Sequence, residues 1–166
     1  MNLIEIQDFI IQSLSTHLDL PPVMQDQTGK KLEGPFLAFK FISPFIPESG
    51  QPIRHYRDTE NETKTEYDVI TMDTMVLSFS IYAKDYDVAL NKAYDARNWF
   101  LENGYEVLKD FNLVVANIGT IEDRGVFIVH DYERRMGMDI TIRFTNTATS
   151  KTPIPSIGNI EIEKEE

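Results

Sequence analysis

The strongest constraint in this chain is a change of hydrophobic period between Tyr67 and Gly104. Met75, Leu77, Phe79 and Ile81 take the odd positions, and Val76, Ser78, Ser80 and Tyr82 the even ones. A period of two describes a strand with one apolar and one half-polar face. After Lys84-Asp85-Tyr86-Asp87 the period becomes helical across residues 88–102, and Asn103-Gly104 reads as the stop. A strand that feeds a helix through so few residues folds that helix back onto its own apolar face. The other elements are expected to add to this layer.

The helix has more than one face to place. Tyr86, Ala89, Leu90, Ala93, Ala96, Phe100 and Leu101 share one side, and Asp87, Asn91, Asp95, Asn98 and Glu102 the opposite one. Arg97 falls on the apolar side, either as a snorkelling side chain or as a buried ion pair to a strand. Val88 and Trp99 fall together behind it, beside Lys92. They are either a satellite core under a loop or an outward stripe that meets another subunit. Asp85 and Asp87 sit where N-cap and first-turn acids face the positive end of the helix dipole. That role starts a helix and needs no catalysis.

Earlier in the chain, Leu3, Ile6, Ile10, Leu14 and Leu18 follow three- and four-residue steps, so residues 3–18 form an amphipathic helix closed by Pro21-Pro22. Residues 36–42 form a strand that is apolar at nearly every position, as expected if both faces are covered, with Pro44 and Pro47 fraying its end. Residues 48–66 have no hydrophobic period. A loop of roughly twenty residues is expected there, projecting as an arm between antiparallel strands. The strand over residues 65–83 would span about 60 Å if extended, so it should break near residues 71–74 or leave the domain body as a long hairpin.

Residues 111–118 are apolar on both faces and read as a central strand. Asp123-Arg124-Gly125 is a turn, and residues 126–129 a short strand. In the last strand Met136, Met138, Ile140, Ile142 and Phe144 alternate with Arg135, Gly137, Asp139, Thr141 and Arg143. One face is core and the other carries a charged ladder. From Asn146 the composition turns to Thr, Ser, Lys and Pro, so 1–145 is expected as one domain and 146–166 as an extended or disordered tail. The tail could also act as a short β-arm added to a neighbour's sheet edge. The fold class is α+β, a mostly antiparallel sheet of about four to six strands with main helices 3–18 and 86–102 packed on it.

Chemistry is sparse. With 166 residues and a net charge of −11, the chain can bury a real core but lacks the basic footprint of a general nucleic-acid binder. It contains no cysteine, which excludes disulfides and thiolate sites and fits an intracellular setting. No membrane span and no signal peptide are read from its hydropathy. Phosphate-loop, dinucleotide-binding and nucleophile-elbow motifs are absent. His17, His55 and His130 are far apart, so no metal site and no cofactor is expected. His130-Asp131 could be half of a base–orienter pair, but no nucleophile accompanies it. Arg54, His55, Tyr56, Arg57 and Lys64 form a local basic-aromatic mixture, yet residues 54–73 hold three basic and six acidic side chains.

Three segments carry a resemblance: Phe39-Lys-Phe-Ile-Ser-Pro-Phe45; Leu77-Ser-Phe-Ser-Ile-Tyr-Ala-Lys-Asp-Tyr-Asp-Val-Ala89 followed by Ala93-Tyr-Asp-Ala-Arg-Asn-Trp-Phe100; and Asp131-Tyr-Glu-Arg-Arg-Met-Gly-Met-Asp-Ile-Thr-Ile-Arg143. In order and spacing they resemble the neck or tail-terminator (tail-completion) proteins of long-tailed bacteriophages, over residues 3–145. The family's aromatic ahead of the last-strand aspartate is Met138 here. The resemblance implies a non-catalytic virion protein, assembled in the host cytoplasm, that forms a ring, typically a hexamer. Such a ring caps the tail tube, ends its polymerisation and meets the head connector, while DNA passes without specific binding. A head–tail adaptor or tube-associated protein of similar fold is the alternative, and a small-molecule enzyme the one from a different class. Val88, Lys92, Trp99, Arg135, Asp139 and Arg143 are the candidate subunit interface.

Overall fold

The computed structural model describes residues 3–25, 32–48, 50–58, 64–128, 131–150 and 154–155. His130, the acids at 60 and 62, and residues 156–166 lie outside them. The fold is α+β, with a mostly antiparallel sheet. Its elements in chain order are α1 (Leu3–Leu18), β1 (Pro22–Met24), β2 (Phe36–Pro47), β3 (Ile53–Asp58), β4 (Lys64–Ala83), α2 (Tyr86–Leu101), α3 (Asn103–Lys109), β5 (Leu113–Ile118), β6 (Glu122–Asp123), β7 (Val126–Ile128), β8 (Asp131–Thr149) and β9 (Ile154–Pro155). The strand order is β1-β2-β4-β8-β5, with β3 and β9 on β4 and with β6 and β7 on β8.

Strand β4 is the spine. Its odd residues Met75, Leu77, Phe79 and Ile81 are fully buried, and β8 matches them with Ile142, Ile140, Met138 and Met136 in unbroken antiparallel register. Burying side chains of this size stabilises by roughly 1.5–3 kcal/mol each. The three helices cover this face. From α1 it takes Ile6, Ile10, Ile11, Leu14 and Leu18; from α2, Ala89, Ala93, Ala96 and Phe100; and from α3, Leu108. Small residues on α2 let the helix approach the sheet closely, and Phe100 then fills the gap over Phe79, with ring centroids 6.0 Å apart.

Helix α1 stops as its sequence dictates. Asp19 takes a left-handed backbone (φ 52°), Leu20 N–H bonds back to Ser15 O at 3.2 Å, and Pro21-Pro22 follow. Lys92 of α2 donates to Leu18 O at 2.7 Å, satisfying one of the carbonyls that a helix end leaves free.

Several expectations need correction. Of the two expectations for β4, the break at residues 71–74 fails, because β2, β3 and β8 pair with it along its length, whereas its antiparallel pairing with β3 is present. The segment 48–66 is not all loop: β3 lies within it, and residues 59–63 are outside the described residues. Strand β2 runs on through Pro44 to Pro47, the irregularities being absorbed by register shifts after Phe41 and Ser43. Only Phe36, Leu37 and Ala38 of β2 are buried on both faces. Strand β5 is an edge strand, not a central one. A further helix, α3, begins at Asn103-Gly104, where the sequence predicts a stop. Tyr86 and Leu101 are exposed, and Leu90 is half-buried. Strand β8 passes the expected boundary at 145 and reaches Thr149, and β9 then pairs with this chain's own β4.

Candidate assembly surface

The sheet face away from the helices is built from the even residues of β4 and the odd residues of β8. Their register sets Tyr82 opposite Arg135, Ser80 opposite Gly137, Ser78 opposite Asp139, and Thr74 opposite Arg143. A strand spacing of about 4.8 Å brings such cross-strand side chains into contact.

At its centre Ser78 donates to Asp139 Oδ1 at 2.6 Å. Arg124, carried over the sheet by the segment between β6 and β7, donates to Ser78 Oγ at 2.8 Å and to Asp139 Oδ1 at 3.0 Å. The same guanidinium holds Glu122 Oε2 at 3.2 Å. Arg135 donates through Nε to the carbonyl of Arg124 and through Nη1 to Tyr82 Oη at 2.9 Å. Tyr82 in turn stacks on Phe36, with centroids 4.6 Å apart. Arg143 pairs with Glu48 at 2.9 Å. The network therefore joins β4, β8, the β6–β7 connection and Glu48, just past β2, by charge-assisted hydrogen bonds, which are stronger than neutral ones, and Phe36 of β2 stacks at its edge.

Beyond Thr74 the same face turns apolar. Ile46 lies opposite Thr74, Ile53 opposite Ile70, and Met72 between them. Ile53 is 62% exposed and Met72 54%. Past this stripe the face is polar again, with Arg57 on Asp68 at 3.0 Å and Thr149 donating to the same carboxylate at 2.7 Å.

The six candidate interface residues do not form one patch. Arg135, Asp139 and Arg143 share the outer sheet face, whereas Val88 and Lys92 belong to the helical layer on the other side. Val88 is 37% exposed in the first turn of α2. Trp99 is not on an outward stripe: it is 4% exposed and belongs to the core. The cause is that α2 is covered twice, by the sheet on one side and by α1 and α3 on another. Trp99 meets Phe100 edge-on at 4.9 Å and His17 at 6.2 Å, and Gly104 of α3 lies against it. Asp85 occupies the N-cap position with extended backbone, its carbonyl accepting from Ala89 N at 3.2 Å, but its side chain makes no capping bond. Asp87 lies in the first turn.

Sequence reasoning missed Arg124, Tyr82 and Glu48. The polar alternation of Ser78 and Asp139 marked the face, but no local period shows that a turn arginine folds across it. Among the described residues no group of three His, Asp or Glu side chains could hold a metal, and no helix is long and apolar enough to cross a membrane.

The sheet is open, with helices on one face and a hydrogen-bonded polar network on the other. The family model for phage neck terminator proteins matches residues 4–166. The chain belongs to that family, whose members are structural virion proteins of the neck and assemble with other head and tail proteins. The match takes in residues 146–166, which the resemblance read from the sequence left out. No curated protein matches the sequence.

Proposed function

We propose that the chain caps the phage tail tube, ends its polymerisation and supplies the surface for joining the head. The observation that carries this is the family match along residues 4–166, on a fold whose outer sheet face is not covered by its helices. In this reading copies assemble in the host cytoplasm into a ring, a hexamer as the resemblance implies, and contact tube subunits on one side and connector proteins on the other. Arg135, Asp139 and Arg143 on the sheet face, and Val88 on the helical layer, are the contact residues. A net charge of −11 would let DNA pass the lumen without adhering. The unit is a single domain.

The test is complementation. Phage lacking this protein should give tails of uncontrolled length or tails that fail to join heads, and supplying the chain in trans should restore both. Normal-length, head-joined tails in its absence would end this reading.

A further inference from the structure

Among the described residues, strand β3 has an open edge: it pairs with β4 alone, through all six of its positions. Such an edge presents a row of backbone donors and acceptors to any strand that fits. Here Ile53 and Tyr56 are largely exposed, and Arg54, His55 and Arg57 are exposed with them. Arg57 is taken up by Asp68, so the edge offers the Arg54 guanidinium beside apolar Ile53 and Tyr56, within a chain of net charge −11.

The same chain holds the complement. Residues 160–163 read Ile-Glu-Ile-Glu, alternating apolar and acidic with the period of a strand. We propose that this segment of one copy adds as a strand to the β3 edge of a neighbouring copy, with Ile160 and Ile162 on the face of Ile53 and the glutamates on the face of Arg54. The proposal rests on the reading that copies associate into a ring. Main-chain hydrogen bonds supply affinity in such additions, and alternate side chains supply specificity.

Geometry favours a neighbour over the chain's own edge. Thr65 is flanked by Asp58 of β3 on one side and Ile154 of β9 on the other. The chain thus leaves Pro155 on the wrong side of β4, heading past its first residue. Reaching its own open edge means crossing three strand spacings, about 14 Å. From Pro155 to Ile160 the chain spans at most about 18 Å when fully extended, which leaves only about 4 Å for rounding the β3–β4 connection and reversing direction. A neighbouring copy placed beside the tip imposes no such reversal. The family match also runs to residue 166, so this segment belongs to the family unit.

The cysteine-free chain makes the test clean. Full-length Ile53→Cys chains are mixed with Ile162→Cys or Ile160→Cys chains, the two donors covering both strand directions, and treated with a short bismaleimide. Val114→Cys on the opposite edge strand replaces Ile53→Cys as the control acceptor. The expected result is a covalent dimer of the two different chains, several-fold above the control, weakened by Arg54→Glu and restored by Glu161→Arg with Glu163→Arg. Yields equal to the control, or only intrachain product from a chain that carries both Ile53→Cys and Ile162→Cys, overturn the proposal. Micrographs of the same mixture separate the two readings. Rings without the cross-link overturn strand exchange alone, whereas no rings and no cross-link overturn both.

Discussion

Ser78 and Asp139 face each other across β4 and β8, and the serine hydroxyl donates a 2.6 Å hydrogen bond to the carboxylate. Arg124 closes the triangle from a different segment of chain. The carboxylate thus holds the β6–β7 connection down on the sheet. Replacing Asp139 by Ala should lower stability by about 1 kcal/mol, since the carboxylate is partly solvated and Arg124 keeps Glu122. Urea melting checks this, and no loss at all would mean the triangle is not held in solution.

Trp99 is the larger test. Removing a buried indole leaves a cavity between α1, α2 and α3, so Trp99→Ala should cost about 3–5 kcal/mol. The loss should appear in the unfolding of unassembled protein. A variant that melts like the parent and fails only in assembly would return Trp99 to the surface.

Two leucines should separate by depth. Leu77 is fully buried in β4, so Leu77→Ala should cost about 2–5 kcal/mol. Leu90 only edges the core, and Leu90→Ala should cost less than half of that measured value. Equal losses in denaturant titrations would contradict the placement of α2.

Gly104 tolerates no side chain. A Cβ there would lie 2.6 Å from Trp99 O and 2.8 Å from the indole ring. Overpacking of this kind costs about 1–3 kcal/mol, so Gly104→Ala should lower the thermal midpoint. Gly137 is under the same constraint, facing the carbonyl of Phe79 and the side chain of Ser80.

Arg143 tests the sheet face as a contact. It is exposed and paired with Glu48, an arrangement that contributes about 0–1 kcal/mol to folding. Arg143→Glu should therefore melt within about that margin of the parent while lowering the assembled mass seen by light scattering. Unchanged assembly would remove Arg143 from the interface.

Where a period was long and repeated, the sequence was a sound guide. Leu3–Leu18 and the alternations at 75–81 and 136–144 hold as read, because each buries one face against a broad partner. The failures have a common cause. A helical wheel for α2 shows that Trp99 lies off the sheet-facing side, but not that α3 turns back to cover it. Ile53 to Arg57 carry no hydrophobic period because β3 is exposed on both faces, so a paired strand read as loop. Residues 113–118 looked central because Val114 is apolar although exposed. The lattice around Arg124 depends on long-range register, to which a local reading is blind.

The unbroken run of β4 has a mechanical consequence. One strand reaches from beside β9, at Lys64, to the start of α2, and β8 is paired to it from Asp68 to Ala83. A pull on the far end along the strand loads that ladder in shear, so its hydrogen bonds resist together instead of unzipping in turn. Tension applied at one rim would pass along a single backbone into the hydrophobic core, with no hinge between to absorb it.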